Sequence, residues 1–240
     1  MTVDPVPIAR YAALLAHPTR TAICLALIDG RAWTSGELAR HVGVAPSTAS
    51  EHLTSLVSAG VLAEVRQGRH RYVRLAGPEV GQLIEDLAST AGVVMSAPTS
   101  LRSGRVATDL LFARTCYDHI AGRLGVALLD ALVAHGLLSL SVGASLTSDG
   151  EVWLKSMAPG TDLSVGRRPV VRPCLDWTER RPHLGGLAGS LLRTAFVDRG
   201  WVMQRPRERG LTVSSAGERG LAELLDIDVQ SLRAGAVSTV

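Results

Sequence analysis

Residues 34–75, TSGELARHVGVAPSTASEHLTSLVSAGVLAEVRQGRHRYVRL, decide the reading of this chain. Thr34-Ser35-Gly36-Glu37 has capping-box spacing, in which the Thr34 hydroxyl and the Glu37 carboxylate satisfy free backbone donors at a helix N-terminus. That helix runs to about Val42. Gly43-Val44-Ala45 is long enough only for a tight turn, and Pro46 suits the first position of a following helix that carries Ala49, Leu53, Leu56 and Val57 inward until Gly60 stops it. Two short helices joined by a three-residue turn containing glycine make a helix-turn-helix. Val61–Val65 and Tyr72–Leu75 then read as two strands, with Gln67-Gly68-Arg69-His70 as the hairpin tip, so a wing follows the second helix.

The second helix of such a pair is the one expected in a DNA major groove. Its outward face is Ser47, Thr48, Ser50, Glu51, His52 and Thr54, short donors and acceptors suited to phosphates and base edges. Taken alone this is also what an ordinary polar helix face looks like. The basic wing shifts the balance: Arg69, His70 and Arg71 are placed to grip phosphates or a minor groove. From Arg31 to Leu75 six arginines stand against three acids, whereas the whole chain carries only +3. Charge distribution therefore says more than the sum.

Outward from this core, Pro7–Leu15 reads as a helix, and His17-Pro18 breaks it and starts another that carries Ile23, Leu25, Leu27 and Ile28 to Gly30. Pro78–Ser89 reads as a fifth helix with Val80, Leu83, Ile84 and Leu87 as its apolar stripe. The segment resembles the ArsR family of winged-helix regulators. The matching residues are AHPTRTAICLAL, the 34–75 stretch and the helix after Pro78, with Ser50-Glu51-His52-Leu53, Leu56, Ala59-Gly60-Val61 and Gly68-Arg69-His70-Arg71-Tyr72 as fingerprint. The resemblance implies a homodimer paired through the first and fifth helices, with Pro46–Gly60 reading double-stranded DNA at an inverted repeat. It also marks two departures. The cysteine-rich stretch of arsenic sensors is replaced by Ser35-Gly36-Glu37-Leu38-Ala39, and Gln82, Glu85 and Asp86 have no histidine neighbour where zinc sensors carry one. Cys24, among Ala22, Ile23 and Leu25, reads as a core thiol.

At 240 residues, 46% hydrophobic and 20% charged, the chain has the composition of a globular protein with one or two cores. The start, Met-Thr-Val-Asp-Pro, has no basic and apolar leader, and the apolar stretch from Val126 to Leu146 is interrupted by Asp130 and His135, so no membrane association is expected. Three scattered cysteines argue against a disulfide framework and fit a cytoplasmic location.

The expected organisation is a winged helix-turn-helix over 1–92, a linker over 93–106 rich in Ser, Pro and Gly, and a regulatory domain over 107–240, mainly α with small β wings (α+β). The last domain repeats itself. His119 to Leu138 aligns without a gap on His183 to Val202, keeping His, Gly, Gly, Leu, Ala, Val and Gly in step. The pattern, a helix, a glycine stop, two strands and a further helix used twice (about 116–160 and 174–225), suggests two winged-helix-like halves. A groove between them is the expected effector site, lined by Cys116, Tyr117, Asp118, His119, Cys174, Asp176, Trp177 and His183. Cys116, His119, Cys174 and His183 are a donor set suited to tetrahedral zinc or a softer ion, although their spacing matches no zinc motif. A redox-sensing thiol pair, an organic ligand, and plain core thiols with backbone-bonded helix-start histidines all remain open. The functional expectation is a transcriptional regulator, a repressor released by its effector. The alternatives are an adaptor using the winged helix as a protein-binding scaffold, or an enzyme built on Cys116 and His119. The last lacks an orienting group and an oxyanion-binding turn.

Overall fold

The computed structural model describes residues 4–67, 70–91, 108–141, 143–163, 168–204 and 208–235. It divides into two compact units, Met1–Glu85 and Asp86–Val240. The expected linker, 93–106, lies outside the described residues. Both units are helical with small antiparallel strand pairs, an α+β architecture.

The N-terminal unit runs α1 (Val6–Leu15), α2 (Pro18–Ala26), β1 (Trp33–Thr34), α3 (Ser35–Val42), α4 (Pro46–Ser58), β2 (Leu62–Gln67) and β3 (His70–Leu75), leading into α5 (Pro78–Thr90). Local chemistry explains the helix boundaries. His17 caps α2 by accepting the Thr19 N–H on Nδ1 at 3.2 Å. At α3 the Glu37 carboxylate accepts the Thr34 N–H at 2.8 Å while the Thr34 hydroxyl accepts the Glu37 N–H at 3.3 Å. Gly43, at φ 70°, ends α3 in the left-handed region that glycine adopts without strain. Pro46 opens α4, whose Ala49, Leu53 and Leu56 are buried with Ile23, Cys24, Leu27 and Leu38.

The sheet order is β1-β3-β2, with Trp33 opposite Val73 and Thr34 opposite Tyr72. The wing strands are longer than the sequence suggests. Their register extends from Leu62↔Leu75 to Gln67↔His70, so Gln67 and His70 belong to the ladder and not to the tip. The cause is that cross-strand backbone pairing holds polar ends that the alternation of side chains does not reveal. Two apolar surfaces remain on the helices expected to pair. None of the residues of α1 is buried, with Val6 and Ile8 exposed, and α5 leaves Leu83 and Leu87 exposed.

The C-terminal unit contains two halves of the same plan. The first is β4 (Arg114–Cys116), β5 (His119–Ala121), α6 (Gly122–Ala134), β6 (Leu138–Ser139), β7 (Ser145–Leu146) and α7 (Ser148–Met157). The second is β8 (Arg172–Leu175), β9 (Pro182–Gly185), α8 (Gly186–Asp198), β10 (Val202–Gln204), β11 (Leu211–Val213) and α9 (Ser215–Leu225), followed by α10 (Val229–Ala234). His119 and His183 are therefore strand residues, not helix starts. Each half opens with a hairpin, and the chain turns into its helix at Gly122 (φ 78°) or Gly186 (φ 80°). At these points a Cβ would lie 2.8 Å from the Leu111 carbonyl oxygen, or 2.8 Å from those of Pro169 and Val170. Only glycine combines that backbone with that clearance.

The correspondence continues beyond the helices. Thr147 caps α7 by accepting the Gly150 N–H at 3.0 Å, and Ser214 caps α9 by accepting the Gly217 N–H at 3.0 Å. Each cap hydroxyl also donates 2.7 Å to the glycine that ends the preceding long helix, Gly136 or Gly200. The long helices α6 and α8 share one core, in which Leu124, Leu128, Leu132, Leu192 and Phe196 are buried. The hairpins are exchanged across it, β9 packing on α6 and β5 on α8.

Candidate functional site

In the N-terminal unit, α4 turns Ala49, Leu53 and Leu56 inward and leaves Ser47, Ser50, Glu51 and Thr54 exposed, with Thr48 and His52 half-buried. The Thr54 hydroxyl is engaged with the Ser50 carbonyl at 2.9 Å. His52 stacks against His17 with ring centroids 4.4 Å apart. Partial burial, with the neighbouring His17 and Arg20, holds its pKa below the usual histidine value. The shift favours the neutral imidazole, which presents one donor and one acceptor. The sequence gives no sign of His17 at this face, because its stacking on His52 joins residues on different helices.

Behind α4, the strands of the wing place Arg66 directly opposite Arg71. Like charges at such a pair oppose one another. Arg71 is compensated by an ion pair with Glu64, and Arg66 is exposed. In the sequence Arg66 is only one of a basic run, since it takes the register to show that it joins Arg71. Arg69 lies outside the described residues, and His70 begins β3.

In the C-terminal unit the two hairpins bring together residues 58 to 64 positions apart. Cys116 is the cross-strand partner of His119, and Cys174 that of His183. The sulfurs of Cys116 and Cys174 are 3.9 Å apart, and Nε2 of His119 is 3.1 Å from Nε2 of His183. One donor atom from each of the four residues lies within 4.8 Å of all the others. Cys116, His119 and His183 are buried and Cys174 half-buried. Helix glycines make this approach feasible. A Cβ at Gly125 would be 3.4 Å from the His183 Cβ, and one at Gly189 would be 3.0 Å from the His119 Cβ.

A carboxylate stands behind each histidine. Nδ1 of His119 is 3.4 Å from Asp118 Oδ1, and Nδ1 of His183 is 3.6 Å from Asp176 Oδ2. Asp118 receives both terminal nitrogens of Arg168, one of them at 2.8 Å. Burial opposes its ionisation, but Arg168 and His119 outweigh burial and hold its pKa at about 2. Asp176, fully buried, accepts Arg114 on both oxygens at 3.0 Å, the Gly122 N–H at 2.7 Å, the Thr178 hydroxyl at 2.6 Å and the N–H groups of Thr178 and Glu179. Burial is again overcome, here by Arg114 and these hydrogen bonds, and the carboxyl stays far below the usual range.

The remaining expected effector residues lie around these hairpins. Tyr117 sits at the hairpin turn with φ 57° and is exposed, and Trp177 lies under the Arg114 guanidinium at 5.6 Å. The imidazoles of His119 and His183 lie with ring centroids 5.0 Å apart and tilted by 30°. A cavity of about 840 Å³ lies elsewhere in the unit, lined by Leu146, Glu151, Lys155, Leu163, Pro169 and Val171 among others, with none of the expected effector residues.

Comparison with known proteins bears on both units. Residues 15–65 match the family model described as "Helix-turn-helix domain". The HTH-type transcriptional regulator YdfF of Bacillus subtilis (strain 168) is 34% identical over 224 residues, covering 92% of this chain and 98% of the relative. The chain belongs to the HTH-type transcriptional regulators. Its N-terminal unit is a winged helix-turn-helix of the ArsR kind, in keeping with the fingerprint from Ser50 to Tyr72. The regulator is also 34% identical over 92 residues to the HTH-type transcriptional regulator CmtR of Mycobacterium tuberculosis, a match covering 38% of this chain and 75% of that one. Among solved structures, the homodimeric winged helix-turn-helix DNA-binding domain (fragment 1-100) of Mb0332 from Mycobacterium bovis is 28% identical, with a TM-score of 0.35, over 38% of this chain and 87% of that one. Among the described residues no helix of this regulator is long and apolar enough to cross a membrane.

Proposed function

We propose that this regulator binds double-stranded DNA as a cytoplasmic homodimer at an inverted repeat, and that it represses until an effector held by the C-terminal unit favours another dimer geometry. The observation that carries the DNA reading is the exposed face of α4 backed by a wing in which Arg66 and Arg71 stand side by side. A phosphate between them relieves their mutual repulsion and supplies a sequence-independent anchor. The exposed apolar residues of α1 and α5 support pairing of two chains, since such side chains gain by leaving water. The reading assigns Cys116 and His119 no catalytic step. An adaptor role requires a partner that survives loss of the wing charges, whereas DNA binding does not survive it.

The test is a mobility-shift series on the full chain, with an operator selected from random duplexes and measured at several salt concentrations. Substituting Arg66→Ala and Arg71→Ala weakens binding to every sequence and flattens the log–log salt slope by about 0.9 for each phosphate no longer neutralised. Ser50→Ala or His52→Ala acts mainly on the selected operator, by about 1–3 kcal/mol for each base pair no longer read. Unchanged affinity and slope in the double arginine variant would remove the wing from the interface.

A further inference from the structure

We propose that Cys116, His119, Cys174 and His183 bind one divalent transition-metal ion of the zinc class, held between the two halves of the C-terminal unit. The inference is independent of the DNA reading. Its first support is the geometry of the donors. Tetrahedral bonds of about 2.3 Å to sulfur and about 2.0–2.1 Å to nitrogen put the two sulfurs about 3.8 Å apart and the two nitrogens about 3.3 Å apart. The structure has 3.9 Å and 3.1 Å on those two edges. The mixed edges, none above 4.8 Å, have about 3.6 Å as their tetrahedral value and need to shorten by at most about 1.2 Å.

The second support is the direction of the imidazole lone pairs. Asp118 and Asp176, standing behind the rings, favour the tautomer with the proton on Nδ1, because a bare Nδ1 lone pair would face a carboxylate oxygen. Nδ1 of His183 is buried with no hydrogen-bond partner to fix it otherwise, and Asp176 is its acidic neighbour. In that tautomer both Nε2 atoms are bare acceptors only 3.1 Å apart. A cation between them resolves this conflict. Carboxylates placed behind ligating histidines are the usual means of fixing the ring and its tautomer.

The third support is charge. Asp118 is neutralised by Arg168 and Asp176 by Arg114, so these two ion pairs add no net charge behind the four donors. Two thiolates and two imidazoles then balance a divalent ion: M²⁺ binds, two Cys–S–M bonds form, and two thiol protons leave to solvent. A donor set without carboxylates or carbonyls disfavours magnesium, calcium and manganese, whereas a tetrahedral pair of sulfurs with a pair of nitrogens selects zinc-like ions. The chain supplies the donors as two prepaired sets, one from each hairpin, and a bound ion ties the two halves together at a point beyond their shared apolar core.

The experiment uses the purified full chain, stripped with a chelator, kept reduced by a phosphine and titrated with Co²⁺ alone. The expected result is one equivalent bound, with the intense visible bands of a tetrahedral ion and a thiolate-to-metal charge-transfer band, both abolished by Zn²⁺. Cys116→Ser with Cys174→Ser loses the charge-transfer band and at least about 100-fold in affinity, more than the 10–100-fold typical of outer-shell changes. Asp118→Asn keeps the spectrum and falls within that smaller range. A weak octahedral spectrum, no charge transfer in the wild type, or the wild-type spectrum persisting in the double serine variant overturns the proposal. Circular dichroism melting verifies that the variants fold. Should the double serine variant not fold, the wild-type stoichiometry and spectrum decide the matter together with Asp118→Asn.

Discussion

Asp176→Ala, studied in chelator, isolates the buried ion pair of the C-terminal unit. Asp176 and Arg114 are 0% and 3% exposed, and the carboxylate serves the guanidinium, a hydroxyl and three backbone N–H groups at once. Removing it leaves a guanidinium buried without its counter-charge, a change that costs about 3–5 kcal/mol. For a unit of about 155 residues, an unfolding entropy of about 2.1 cal/mol/K per residue gives about 0.33 kcal/mol/K, so about 4 kcal/mol lowers Tm by about 12 °C. Scanning calorimetry reads this directly. Arg114→Met combined with Asp176→Leu regains part of the loss, because no charge is then left unpaired. If Asp176→Ala melts within about 3 °C of the wild type, or if the double variant is no more stable than the sum of its single changes implies, the cost assigned to the unpaired guanidinium is wrong.

Gly125→Ala brings a Cβ to 2.4 Å from the Ile120 carbonyl oxygen and 3.4 Å from the His183 Cβ, so it destabilises by about 1–3 kcal/mol or more and weakens Co²⁺ binding; a melt and a cobalt titration verify both. Burial raises the Cys24 pKa from its ordinary value near 9 to about 11. The unfolded thiol ionises first, so its contribution is complete below about pH 9 and is lost as pH rises towards 11, in total about 3 kcal/mol. In urea melts across that window the stability difference between wild type and Cys24→Ala should change by that amount, the wild type losing ground as pH rises, and parallel curves would refute the burial argument. In mobility shifts, Cys116→Ser with Cys174→Ser leaves operator binding intact and abolishes any response to Zn²⁺. A zinc response that persists in this variant places the sensor elsewhere.

The helix-turn-helix is legible in the sequence because its signals are local: the Thr34–Glu37 box, Gly43, Pro46 and Gly60 all act within a few residues of the boundary they set. Strand β1 is not, since Trp33 and Thr34 become a strand only by meeting Val73 and Tyr72, far along the chain. The C-terminal repeat shows in the sequence because helix α6 and helix α8 keep their glycines in step. Its opening reads as helix in the sequence because apolar residues lead from Ile120 or Leu184 into the helix, and the change of conformation at Gly122 or Gly186 leaves no periodic trace. The four Cys and His donors can be named from the repeat. That Asp118 and Asp176 stand behind the rings, and that Arg114 and Arg168 stand behind the carboxylates, cannot, since arginine is common throughout this chain and pairs over long separations carry no local mark.

Hairpin register also accounts for an irregularity in the repeat. Cysteine and histidine are three residues apart in one half and nine in the other, yet each pair ends up face to face. Position in such an arm is set by rungs of backbone pairing, not by the length of chain that closes it. The Leu175–Pro182 connection is therefore able to be longer and to carry the Asp176–Arg114 clamp while the donor atoms keep their places. Each arm is in this sense a cassette, in which the closing loop differs while the rung bearing Cys and His keeps its place.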